Sequence, residues 1–98
     1  MSPLNLEKIA NALPLAWKST LLGEVGPAHI KVLRMDDMSY AQEVHDYNEG
    51  LLVVSGCMML EVGGERVEVN AGELYIAQAQ IAHAVLPGSH GCLVIIDV

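Results

Sequence analysis

Four side chains with metal-binding chemistry fall in two stretches of this chain: Glu43, His45 and Glu49 in EVHDYNEGLLVVSG, and His83 some thirty residues later. Glu43 and His45 are two apart in a segment predicted to be a strand, so both leave the same face. Glu49 opens the next strand after a short turn, where it can return to that face. His83 belongs to a further strand that also carries Val85. An i, i+2 pair, a third donor across a hairpin and a fourth from a distant strand let a small barrel gather carboxylates and imidazoles around one divalent ion. Each residue also has a plainer reading, as a surface acid, a turn histidine or a hydrogen-bonded core histidine. Glu43 could face solvent or serve as a base beside the ion.

Such donors need a stiff frame, and the patterning supplies a β one. After Pro14 the chain runs in short segments rich in Val, Ile, Leu and Tyr, broken by Gly, Pro, Asn or Asp. Strands are predicted at Ser19–Glu24, His29–Arg34, Ala41–His45, Leu51–Ser55, Met58–Val62, Arg66–Val69, Glu73–Ile76, Ala82–Leu86 and Leu93–Asp97. In LEVGGERVEV, Gly63 and Gly64 can take the positive φ angles of a two-residue hairpin. Before Pro14, Leu6, Ile9, Ala10 and Leu13 repeat at helical spacing, which predicts a short amphipathic helix. The whole reads as a single domain, with residues 1–18 a helical arm and 19–98 the barrel.

LLVVS, CMMLEV and LVIID are apolar at consecutive positions, so both pleat faces seek cover. The helix or a partner subunit must lie outside, and a homodimer is the expectation. With 98 residues, 52% of them apolar, there is material for one core. The net charge of −7 comes from twelve acids against five scattered bases, Lys8, Lys18, Lys31, Arg34 and Arg66, and makes nucleic acid and anionic membranes poor partners. No apolar run suits a bilayer and the N-terminus lacks a signal-peptide layout, so a cytoplasmic protein is expected. Cys57 and Cys92 read as buried thiols, and His29 and His90 as residues outside the site.

Residues 43 to 87 resemble the cupin superfamily. Its first motif runs His-x-His, three or four residues, Glu, six residues, Gly; His45, the gap Asp46-Tyr47-Asn48, Glu49 and Gly56 match it. The second motif opens on Gly with a His eleven residues later, and Gly72 and His83 keep that interval. The stretch between the motifs has the short length of small bacterial cupins. The resemblance implies an all-β cupin jelly-roll barrel and a metal held by the residues at positions 43, 45, 49 and 83. Three departures stand out. Glu43 replaces the first histidine, Gln78 and Gln80 replace the Pro and Gly usual before the last histidine, and Pro87 stands at the closing Asn position. Type I phosphomannose isomerases, also similar, place a Gln oxygen where Glu43 falls, so an oxygen donor there is compatible with ligation.

Two neutral imidazoles and two carboxylates cancel the charge of a divalent ion, which predicts weaker Lewis acidity than a three-His, one-Glu set. Zn²⁺, Mn²⁺, Fe²⁺ and Ni²⁺ all suit these donors. The resemblance implies a dioxygenase, isomerase or decarboxylase acting on a small molecule, or else a non-catalytic ligand- or metal-binding module. Phosphorylated substrates are disfavoured, because phosphate needs cationic partners and Lys31 and Arg34 are predicted on opposite faces. Tyr47 and Tyr75 are taken as packing residues.

Overall fold

The computed structural model describes residues 2–38 and 40–98. Helix α1 spans Leu6–Ala12; Asn5 caps it, its side-chain oxygen accepting from the Lys8 N–H at 3.0 Å. It ends just before Pro14, as the sequence predicts. Eight strands follow: β1 (Thr20–Val25), β2 (Ala28–Asp36), β3 (Tyr40–Glu43), β4 (Glu49–Val62), β5 (Glu65–Asn70), β6 (Leu74–Ala77), β7 (His83–Val85) and β8 (His90–Asp97).

All pairings are antiparallel. They run β1-β2-β8-β4-β7-β3, with β5 and β6 also on β4. The sheet curls around one core but does not close into a barrel: among the described residues β1 pairs only with β2, and β3 only with β7. Leu33, Met35, Leu51, Val53, Met58, Leu60 and Leu93 fill its inner face. On the outer face Leu6, Ile9 and Ala10 of α1 pack on Val32, Cys92 and Val94, with Leu52 and Val54 alongside. The Arg34 guanidinium holds the helix there, donating to the carbonyls of Ala10 (3.2 Å) and Leu13 (2.6 Å). Leu52 and Val54, which made LLVVS apolar on both faces, thus find helix rather than solvent.

The largest difference from the sequence reading is β4. Two predicted strands are one, Glu49–Val62, because Gly56 acts as a bend rather than a terminator. Its φ of 77° faces Gly91 at 103° where β4 crosses β8. A Cβ on Gly56 would overlap the His90 carbonyl, and one on Gly91 the Ser55 carbonyl, so this crossing admits only glycines. Beyond it β4 carries β5 through the predicted hairpin, with Gly63 and Gly64 at φ of 57° and 84°. β8 begins at His90, ahead of the predicted Leu93, and Gly91 is paired there with both β2 and β4.

Cys57 corrects the thiol expectation. Met58 beside it is fully buried, so alternation turns Cys57 outward, and it is half-exposed; Cys92 is buried and both are free. Among the described residues no helix is long and apolar enough to cross a membrane.

Candidate metal centre

Glu43 ends β3 and pairs directly with His83 at the start of β7, which sets these two side by side. Glu49 begins β4. His45 lies beyond the end of β3, in the loop of residues 44–48, rather than within a strand as predicted. That loop is fastened to the one before β7: the Gln80 N–H donates to the His45 carbonyl at 2.8 Å and the Ala79 N–H to Asn48 Oδ1 at 2.8 Å. With the loop so placed, the His45 ring faces Glu43.

One donor atom from each of Glu43, His45, Glu49 and His83 lies within 4.8 Å of the others. His45 Nε2 is 3.3 Å from Glu43 Oε2 and 3.9 Å from Glu49 Oε2; His83 Nε2 is 3.9 Å from Glu43 Oε2 and 3.5 Å from Glu49 Oε1. The imidazole centroids are 5.7 Å apart. The four measured separations, 3.3–3.9 Å, are within the span of donors about 2.0–2.2 Å from a shared ion, a wider pair near the 4.8 Å limit would close by a few tenths of an ångström on binding, and the nitrogen and carboxylate set is one that first-row divalent ions accept. The residues present therefore fit a metal.

The electrostatics agree. Glu49 is buried, and loss of water pushes its carboxyl above the usual range; the imidazoles of His45 and His83 pull it back, while Glu43 and Asp97 push it further up. The two imidazoles thus offset the cost of burying this carboxylate only in part. His83 is also buried, and its Nδ1 has no hydrogen-bond partner among the described residues.

The four donors line a cavity of about 240 Å³ inside the curled sheet, smaller than the ~300–1,000 Å³ of drug-sized sites. Leu33, Leu51, Met58 and Leu93 make apolar wall, and Trp17, Lys31 and Asp97 stand among the other lining groups. Tyr47 stacks on His45 with centroids 4.9 Å apart and planes 14° from parallel, so its packing role is at the site itself. Desolvation, then the charges of Asp97 and Glu49, hold its phenol above the ordinary value. His29 and His90 lie apart from the cluster. His29 Nδ1 is 3.4 Å from Asp97 Oδ1, and His90 Nδ1 lies 3.9 Å from Cys57 Sγ.

Sequence reasoning passed over Asp97 and the cavity-facing position of Lys31. The signal was alternation: Lys31 is two residues from Leu33, and Asp97 two from Ile95, so each is a charged residue on a core-facing row.

A curled antiparallel sheet with a His/Glu cluster opening on an apolar cavity defines a β-class protein with a site that could hold a metal. The family model described as "Cupin domain" matches residues 35–98, and the chain belongs to that family. Among solved structures, a cupin-2 domain containing protein from Shewanella frigidimarina superposes with a TM-score of 0.87 at 17% identity, covering 96% of this chain and 92% of that one. A protein from Neisseria meningitidis gives 0.84 at 18%, covering 99% of each. Hydroquinone 1,2-dioxygenase in complex with Fe³⁺ gives 0.88 at 15%, covering 99% of this chain but 32% of its own. At these identities the likeness is one of fold. No curated protein matches in sequence.

Proposed function

We propose that this chain binds one divalent ion through Glu43, His45, Glu49 and His83 and works as a metal-dependent enzyme on a small, non-phosphorylated molecule. Convergence carries the reading: four donors from separated stretches meet within 4.8 Å on the wall of a cavity. Bound there, a divalent ion would supply an electrophilic centre for water or a substrate oxygen. The carboxylates of Glu43 and Glu49 would balance that charge, the imidazoles of His45 and His83 would complete the donor set, and Leu33, Leu51, Met58 and Leu93 offer apolar wall to the body of a small ligand. Zn²⁺, Mn²⁺, Fe²⁺ and Ni²⁺ remain equal choices.

Phosphate lacks its partners in this cavity. Arg34 is committed to α1, Arg66 lies on the exposed β4–β5 hairpin, and the charge of Lys31 is already balanced by Asp97, so no net positive charge is left to offset a phosphate. Within the menu of dioxygenase, isomerase and decarboxylase, the likeness to a dioxygenase makes oxygen chemistry the first to test.

Metal analysis of the purified protein and of His45→Ala and His83→Ala is the first experiment. Loss of metal in both variants is the expected result, and unchanged content in both ends the proposal. Oxygen consumption by iron-loaded protein across diols, diketones and thiols then tests the dioxygenase branch. A second reading, a non-catalytic ligand- or metal-binding module, draws support from Glu43: in place of a motif histidine it leaves a charge-neutral centre with little polarising power. Absence of oxygen uptake with every compound removes the dioxygenase branch and shifts the balance toward this module, with isomerase and decarboxylase left as the enzyme alternatives. The same proposal takes the chain as a single-domain, cytoplasmic protein that pairs as a homodimer through the outward apolar side chains of β6.

A further inference from the structure

The cavity has a second polar wall that the metal reading does not use. Lys31 on β2 and Asp97 on β8 meet there, Nζ donating to Oδ2 at 2.9 Å. The Asp97 side chain is 9% exposed and that of Lys31 30%, so the pair is largely withdrawn from water. Both residues line the same cavity as the four metal-ligand candidates, with Leu33, Leu51, Met58 and Leu93 among the walls they share. An ammonium carries three N–H donors, and the one bond made to Asp97 leaves others for an acceptor inside the cavity.

Charge balance decides what that acceptor belongs to. A divalent ion would cancel Glu43 and Glu49, and Lys31 cancels Asp97, whose other oxygen lies 3.4 Å from His29 Nδ1; with the imidazoles of His29, His45 and His83 neutral, the loaded cavity has no net charge. Bringing an ion into it adds a charge that no lining group is left to balance, next to the largely buried Glu49, His83 and Asp97 side chains, whereas an uncharged ligand only has to satisfy hydrogen bonds. A neutral molecule with two oxygens and a short apolar body meets both walls.

We propose that Lys31, held in place by Asp97, is a specificity-determining residue that donates to one oxygen of an uncharged hydroxy or keto compound whose other oxygen faces the metal ligands. The inference rests on the metal reading above and narrows its substrate class.

Cobalt-loaded protein titrated with hydroxyacetone, and separately with pyruvate, tests it; pyruvate is a monoanion of similar size, and the visible absorption of cobalt reports binding. Wild type is expected to bind hydroxyacetone about tenfold more tightly than pyruvate. Asp97→Asn keeps the side-chain shape but leaves the Lys31 charge unbalanced, and should move the ratio about tenfold toward pyruvate. A protein in which Lys31→Met is combined with Asp97→Asn carries neither charge; it should keep its cobalt, lose about tenfold in hydroxyacetone affinity and gain nothing for pyruvate. Preference of wild type for pyruvate, or affinities unmoved in the double variant, overturns the inference. Cobalt content is measured before any probe is added, so failure of wild type to take up cobalt is recognised as failure of the metal reading, and the inference falls with it.

Discussion

Glu49 is where burial and charge conflict most sharply. Its carboxyl is pushed up by desolvation, so in metal-free protein the folded state holds this proton more tightly than the unfolded chain does. Stability linked to the group is therefore full below the ordinary carboxylate range and falls as pH rises from there through the raised folded value. Glu49→Gln removes the ionisation while keeping the shape. In the presence of a chelator, its melting temperature should equal that of wild type at low pH and exceed it increasingly toward neutral pH. A wild type that gains on the variant as pH rises contradicts this. Adding metal should reverse the order, since binding to the folded state alone is worth about 2.7 kcal/mol at a hundredfold excess over Kd, and only wild type has the full ligand set. The candidate cluster was legible from the local spacing of Glu43, His45 and Glu49 and, for the distant His83, from the likeness of residues 43 to 87 to the two cupin motifs. Lys31 and Asp97 were not, since two charges 66 positions apart show no relation until β2 and β8 pair.

At the scale of elements, the two loops carrying His45 and preceding His83 are tied through Gln80, which holds a φ of 69°. The cupin motif usually has glycine there, and the backbone keeps a glycine-like conformation although the side chain has changed. A non-glycine residue in this region costs about 1–2 kcal/mol, against about 0.5–1 kcal/mol for the greater flexibility of an unfolded glycine. Gln80→Gly should therefore stabilise the protein by about 0.5–1 kcal/mol in urea unfolding without changing metal content. A loss of stability would mean that the Gln80 side chain makes a needed contact. Arg34 gives the opposite case. Arg34→Met strips the charged donor from the Ala10 and Leu13 carbonyls and should cost about 1.5–3 kcal/mol in the same assay. The helix and the Gly63-Gly64 hairpin could be read directly because cap, period and turn chemistry are short-range. The continuity of β4 could not: Gly56 looks like a strand breaker until Gly91 is seen across from it.

At the scale of the whole molecule, doubly apolar strands called for cover on the outer face, and α1 meets that need only over β2, β8 and the first half of β4. It leaves β6 uncovered. There Tyr75 and Ala77 point to the core while Leu74 and Ile76 point outward, 54% and 45% exposed, with Val98 at 59% beside the same groove. Among the described residues β6 pairs only with β4, so its far edge also presents free backbone donors and acceptors. A second copy suits this surface because a two-fold pairing sets the same apolar row and the same open edge against themselves, satisfying both at once. Light scattering should give twice the 10.5 kDa chain mass. Ile76→Lys should return it to one chain while metal content stays unchanged, since Ile76 faces away from the cavity. A wild-type mass of one chain removes the dimer, and a variant that stays dimeric moves the contact to another face.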